Sequence, residues 1–230
     1  MSAGYIIYSL DTNKFRDLIE RPTKEQLAEL AVLLQGGLEE WDGEWDDGDP
    51  VSEWPTDPEA LAPIAAKRLG MSDWYGDLSN VGKNVWEGVI FGSCMNSEAI
   101  DVGFRVDDDG IYWEVIEIAW KYLKVPANTI DDTALSTFGT RPFRYFPAPK
   151  AAKKKGWFSL GSGDDDDWTP MHSMHATDEV KKMLAELKSA GPAIKASKND
   201  DALEQYEESL MPAIESIVND ARMLFVQVDT

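Results

Sequence analysis

The chain has 230 residues, 43% of them hydrophobic and 24 of them aromatic (Trp 9, Phe 8, Tyr 7), which excludes a wholly disordered chain too poor in apolar surface to offset its ordering entropy. Its 42 Asp and Glu against 22 Lys and Arg give a formal charge of -20, which repels phosphate backbones and anionic lipid and argues against nucleic-acid and membrane partners. Cys94 is the only cysteine, so an intramolecular disulfide framework and a cysteine-rich zinc site are excluded.

A chain of this length is expected to form one domain spanning 1–230. The N-terminal MSAGYIIYSLDTNKF lacks a basic n-region, and its apolar run stops at Leu10, too short for a signal h-region or a membrane span. The expected compartment is the cytoplasm. Gly4 to Leu10, GYIIYSL, is rich in Ile and Tyr and predicts a buried first strand, followed by a short helix from about Asn13. Thr23 and Gln26 form a capping box. After it, Leu27, Leu30, Ala31 and Leu34 recur at helical spacing, with Gly36 and Gly37 as the expected stop.

Residues 38–60 carry ten acidic side chains and no Lys or Arg, with Trp41, Trp45 and Trp54 among them. Asp57 and Pro58 then open a predicted helix whose Leu61, Ile64, Ala65 and Leu69 share a face up to Gly70. Ser79 is positioned to cap another helix, from Asn80 to about Ser93. FRVDDDGIYWEV, residues 104–115, has apolar runs on both sides of an Asp-Gly turn and predicts a β-hairpin, with a helix following from Ile116 to Leu123. Residues 133–163 reverse the charge pattern, with six basic groups and no acid, before the run Asp164 to Asp167. Proline and glycine around this reversal predict a long loop over 147–169. Thr177 is the expected cap of a helix lined by Val180, Met183, Leu184 and Leu187 and ended by Gly191-Pro192. Leu203, Tyr206, Leu210, Ile214, Ile217 and Ala221 mark a last helical region that Pro212 either kinks or divides, and MLFVQV, 223–228, closes the chain as a strand. The predicted class is α+β, with a small mixed or antiparallel sheet that uses the N- and C-terminal strands and packs against several helices.

Several residue patterns could carry chemistry. Asp42, Glu44, Asp46 and Glu53 match positions 1, 3, 5 and 12 of a calcium loop, where oxygen ligands converge on one hard cation. Asp47 stands where the sharp turn needs Gly, and Pro50 interrupts the loop, so a solvated acidic segment is the competing reading. Apart from that calcium reading, no cofactor is expected. Trp41, Glu44, Trp45, Asp46, Asp47 and Trp54 interleave aromatic and carboxylate groups, a composition suited to docking on a basic and partly apolar protein surface. His172 and His175 lie three apart but lack further ligands at metal spacing, and Cys94 has no recognisable catalytic partner. Neither a G-x-S-x-G elbow nor a glycine-rich phosphate loop occurs. Lys153, Lys154 and Lys155 make too small a cluster to indicate lipid binding.

Three segments, GYIIYSLDTNKFRDLI, LSNVGKNVWEGVIFGS with Lys83 and Trp86, and MHSMHATDEVKKMLAEL with the later MLFVQV, together resemble the YfbM-like family of uncharacterised bacterial proteins. The resemblance implies one α+β domain and supplies no catalytic residues. It carries a weak implication of an immunity role in toxin systems, and it does not extend to 38–60 or 147–169. Three functional expectations follow: a non-enzymatic acidic protein that engages a basic protein, an enzyme with an unrecognised site, and a calcium-binding protein using the 42–53 loop.

Overall fold

The computed structural model describes residues 4–41, 57, 59–60, 62–63, 97–106, 112–125, 133–139 and 172–229. The chain divides into two compact units, one made of Met1–Ser9, Arg105–Pro142 and Phe146–Thr230, the other of Leu10–Phe104 with Phe143–Tyr145.

The first unit is built on an antiparallel sheet, and its class is α+β. Strand β1 (Gly4–Leu10) pairs with β4 (Met223–Asp229), so the N- and C-terminal strands lie side by side, as the sequence predicts. The full order is β2-β1-β4-β3, with β2 (Gly103–Arg105), of which Arg105 alone belongs to this unit, and β3 (His172–His175) at the edges. Residues 172–175 run antiparallel to β4, with Ser173 opposite Val226 and His175 opposite Leu224. The chain leaves this unit after Ser9 and returns at Arg105.

One face of the sheet meets the helices. Tyr5, Ile7, Leu224 and Val226 pack there with Val115, Ile116 and Ala119 of α3 (Trp113–Leu123) and with Val180, Met183 and Leu187 of α4 (Thr177–Ala196). Alternation of side chains along a strand explains why Tyr8, Met174 and Phe225 fall on the other face, where they are also buried. Tyr8 and Phe225 touch across β1 and β4, with ring centroids 5.6 Å apart.

The helices of this unit depart from expectation at three places. The second arm of the predicted 104–115 hairpin does not form as a strand, because α3 already begins at Trp113. Val115, Ile116 and Ala119, at helical spacing, are all buried, and this outweighs the β propensity of the Ile-Tyr-Trp run. Thr177 is not a cap. Ala176 occupies that position, and the Thr177 hydroxyl instead donates to the carbonyl of Arg222 at 3.0 Å, tying the start of α4 to the start of β4. Nor does α4 stop at Gly191-Pro192. It runs to Ala196, because its inner face continues through Ala190 to Ile194, both fully buried.

The last helical region forms one ribbon of three parts, divided at Pro212 as one of the two expectations has it. Helix α5 (Asp200–Glu204) passes into a π-helical turn (Gln205–Leu210) and then into α6 (Met211–Asn219). The Met211 N–H donates to Tyr206, five residues back, and this wide turn delivers Pro212 to the first turn of α6, where its missing N–H costs least. Tyr206, Leu210, Ile214 and Ile217 then all face the core, whereas Ala221 is exposed. The Tyr206 hydroxyl donates to the Leu187 carbonyl at 3.1 Å, beside Gly191, whose missing side chain leaves room for it.

In the second unit, Asp11 caps α1 (Thr12–Glu20) by accepting from the N–H groups of Asn13 and Lys14. Thr23 and Gln26 exchange the two bonds of the predicted capping box, 3.0 and 3.1 Å, at the head of α2 (Lys24–Trp41). Helix α2 continues through Gly36 and Gly37 rather than stopping there. Glycine in a helix interior costs about 1 kcal/mol, which weakens a helix without ending it. Asp57 accepts from the Glu59 N–H at 3.3 Å, and Glu59, Ala60, Ala62 and Pro63 are helical, in keeping with the predicted start there. The predicted helix from Asn80 and the predicted loop over 147–169 lie outside the described residues. No helix among the described residues is long and apolar enough to cross a membrane.

Candidate functional site

Trp41 is the last residue of α2, and the other residues singled out for binding or for calcium, Asp42, Glu44, Trp45, Asp46, Asp47, Glu53 and Trp54, lie outside the described residues, as does Cys94. His172 and His175 belong to strand β3, where positions three apart fall on opposite faces rather than on one helical turn. No group of three or more His, Cys, Asp or Glu able to hold a metal occurs among the described residues.

Within the second unit, α1, the head of α2 and the turn at 99–101 enclose an open groove of about 620 Å³. Lys14 and Asp17, three apart on one stripe of α1, line it together with Arg21, the residue that ends the helix. Lys14 pairs with Asp101 across the groove, and Arg21 pairs with Asp17 along the helix. Glu25 adds a third carboxylate. Gln26 fixes the arrangement: its carbonyl oxygen serves the capping box while its amide nitrogen donates to the Ile100 carbonyl at 3.1 Å. Ser97 holds the same turn to α2 by donating to Glu29 at 2.9 Å, and Asp101 sits beyond it at φ 48°. Ile100, at 1% exposure, forms an apolar floor.

In the first unit, residues 200–220 contain seven Asp and Glu and no Lys or Arg. Glu207 pairs with Lys195 at 2.7 Å and Glu215 with Lys188 at 2.8 Å, both across to α4. The hydrogen bond that Lys195 donates to Glu207, then the charge of Glu207, raises the pKa of Lys195, while burial raises that of Tyr206. Asp200, Asp201, Glu204 and Glu208 are exposed and have no ion-pair partner among the described residues. The ribbon therefore shows solvent an acidic face without internal compensation.

A third arrangement lies inside this unit. Ser173 and His175, both fully buried, point from β3 towards the helices, with the Ser173 hydroxyl 2.8 Å from His175 Nε2 and Glu179 3.7 Å from Nδ1. That order resembles a nucleophile, base and acid relay. However, Ser173 Oγ already accepts the Gly139 N–H at 2.8 Å, and the Glu179 separation exceeds hydrogen-bond reach. Its evident work is structural, since it satisfies polar groups that a strand of sequence HSMH turns inward.

The groove and the acidic ribbon escaped the sequence reading for different reasons. The groove needs Asp101 brought beside Lys14, a juxtaposition only the fold supplies, although the charged stripe on α1 was visible in the spacing. The ribbon is a base-free acidic stretch in the sequence too, but it lacks the interleaved tryptophans that single out 38–60. No protein-family model, curated protein or solved structure matches the chain.

Proposed function

We propose that this chain is a non-enzymatic binding protein that engages a basic protein through acidic surface, with masking of a cationic toxin by an immunity protein as its bounded form. The observation that carries the proposal is the segregation of charge: acids without bases over 38–60, and again over 200–220, where four carboxylates are exposed and unpaired among the described residues. Such a field steers a cationic partner and speeds capture, and it disfavours anionic ones. The likeness to the YfbM-like family belongs to the same proposal. It is supported by a first strand leading into a short helix and by a terminal strand after the last helix, the element order the likeness implies.

The test is affinity capture with crosslinking from the native host at low and high salt. A basic partner retained at low salt and released near 1 M, where the screening length falls to about 3 Å, is expected. Recovery of no partner after crosslinking, or of one that salt does not release, refutes the proposal.

A further inference from the structure

We infer that the groove of the second unit binds a free basic amino acid, a zwitterion with an additional cation. Its lining has two cations, Lys14 and Arg21, and three carboxylates, Asp17, Glu25 and Asp101. Two ion pairs consume four of these charges, and Glu25 has no ion-pair partner among the described residues. The groove is thus left with one negative charge but offers both signs within reach. A ligand with two cations and one carboxylate is its complement in net charge and meets groups of both signs.

Access to the paired charges is inexpensive. The side chains of Lys14 and Asp101 are 51% and 68% exposed and those of Arg21 and Asp17 are 75% and 55% exposed, and exposed pairs of this kind contribute little to stability. An incoming carboxylate can therefore take up Lys14 and Arg21 while the ammonium and the side-chain cation take up Asp101, Asp17 and Glu25. Ala99, which is exposed, gives the methylene stem an apolar surface, and about 620 Å³ lies within the usual range of ligand pockets. The bonds from Gln26 and Ser97 hold the walls without a ligand, so little ordering is needed on binding.

The test titrates L-arginine into the full chain, followed by backbone amide shifts and calorimetry. Saturable shifts at residues 14, 17, 21, 25 and 99–101 are expected, with none from L-glutamate. N-acetyl-arginine and arginine amide, each lacking one charge, should bind about two- to fivefold more weakly, the range that one exposed charge contact spans. Glu25→Gln and Asp101→Asn should each weaken L-arginine by a similar factor, whereas Lys188→Gln, in the other unit, should leave it unchanged. Asparagine tolerates the left-handed backbone at 101, so that variant keeps the fold. Absence of saturation, equal shifts from L-glutamate, or affinity unaltered by both groove variants would overturn the inference.

Discussion

Replacing Tyr5 by Phe should stabilise the protein, although Tyr5 is among its most deeply buried side chains. Its ring stacks on Trp113 at 6.1 Å and meets the edge of Phe138 at 5.2 Å, and it has no exposed surface. Its hydroxyl has no hydrogen-bond partner among the described residues. Burying a hydroxyl without a partner costs about 1–3 kcal/mol on mutational scales. Phe keeps both ring contacts, and the hole left by one oxygen, smaller than a methyl group, costs less than about 1 kcal/mol. The net gain is about 1–2 kcal/mol, and a chain of this size converts that into a rise in Tm of about 2–8 °C. Thermal melts followed by near-ultraviolet circular dichroism measure it directly. A Tm lowered by Tyr5→Phe would show that the hydroxyl does useful bonding, for instance to an ordered water, and would refute the reasoning.

The alkaline limb gives an independent check. Burial raises the pKa of Tyr5 and of Tyr206, so their contribution is fully present below the ordinary tyrosine value of about 10 and is lost as pH climbs from there towards the folded values. Stability should fall above pH about 10, less steeply in Tyr5→Phe, as denaturant melts across that range will show. Gly191→Ala places a Cβ 2.7 Å from the Tyr206 hydroxyl oxygen and should cost about 1–3 kcal/mol, partly offset by the better helix propensity of Ala. Adding Tyr206→Phe should recover most of that loss, because the next nearest atom is 3.4 Å away; a double-mutant cycle without coupling would sink this account. Ser173→Ala strands the Gly139 N–H and a His175 nitrogen inside the core and should lower stability by about 2–4 kcal/mol in urea unfolding, whereas a change within error would mean the network is dispensable. Thr23→Ala removes half of the capping box and should cost about 0.5–2 kcal/mol, readable in the same assay.

The elements legible in the sequence are those whose signals are local. GYIIYSL and MLFVQV announce β1 and β4 by composition, and Thr23 with Gln26 announces the head of α2 by a bond pattern spanning four residues. The predicted class, an α+β fold with terminal strands in one sheet, follows from those and is what the structure has. What local signals miss is the reach of the core. Trp113 enters a helix because Val115, Ile116 and Ala119 are buried together, and α4 crosses a Gly-Pro pair because Ala190 and Ile194 lie on the same buried face. Strand β3 is the hardest to foresee, since HSMH turns two polar side chains inward and bonds from Gly139 to Ser173 and between Ser173 and His175 help make that tolerable. The groove is a product of the same kind, assembled from residues far apart in sequence.

The pairing of β1 with β4 has a consequence for synthesis on the ribosome. Strand β1 meets β2 on one side after about a hundred residues, but the side that β4 covers stays open until Met223–Asp229 have been made, and closing so long a loop is slow. Until then, Tyr5, Ile7 and Tyr8 wait as exposed apolar backbone with an open edge, the feature most prone to mispairing with another nascent chain. A truncation that removes β4 should therefore produce aggregates from its N-terminal strand rather than a smaller folded protein.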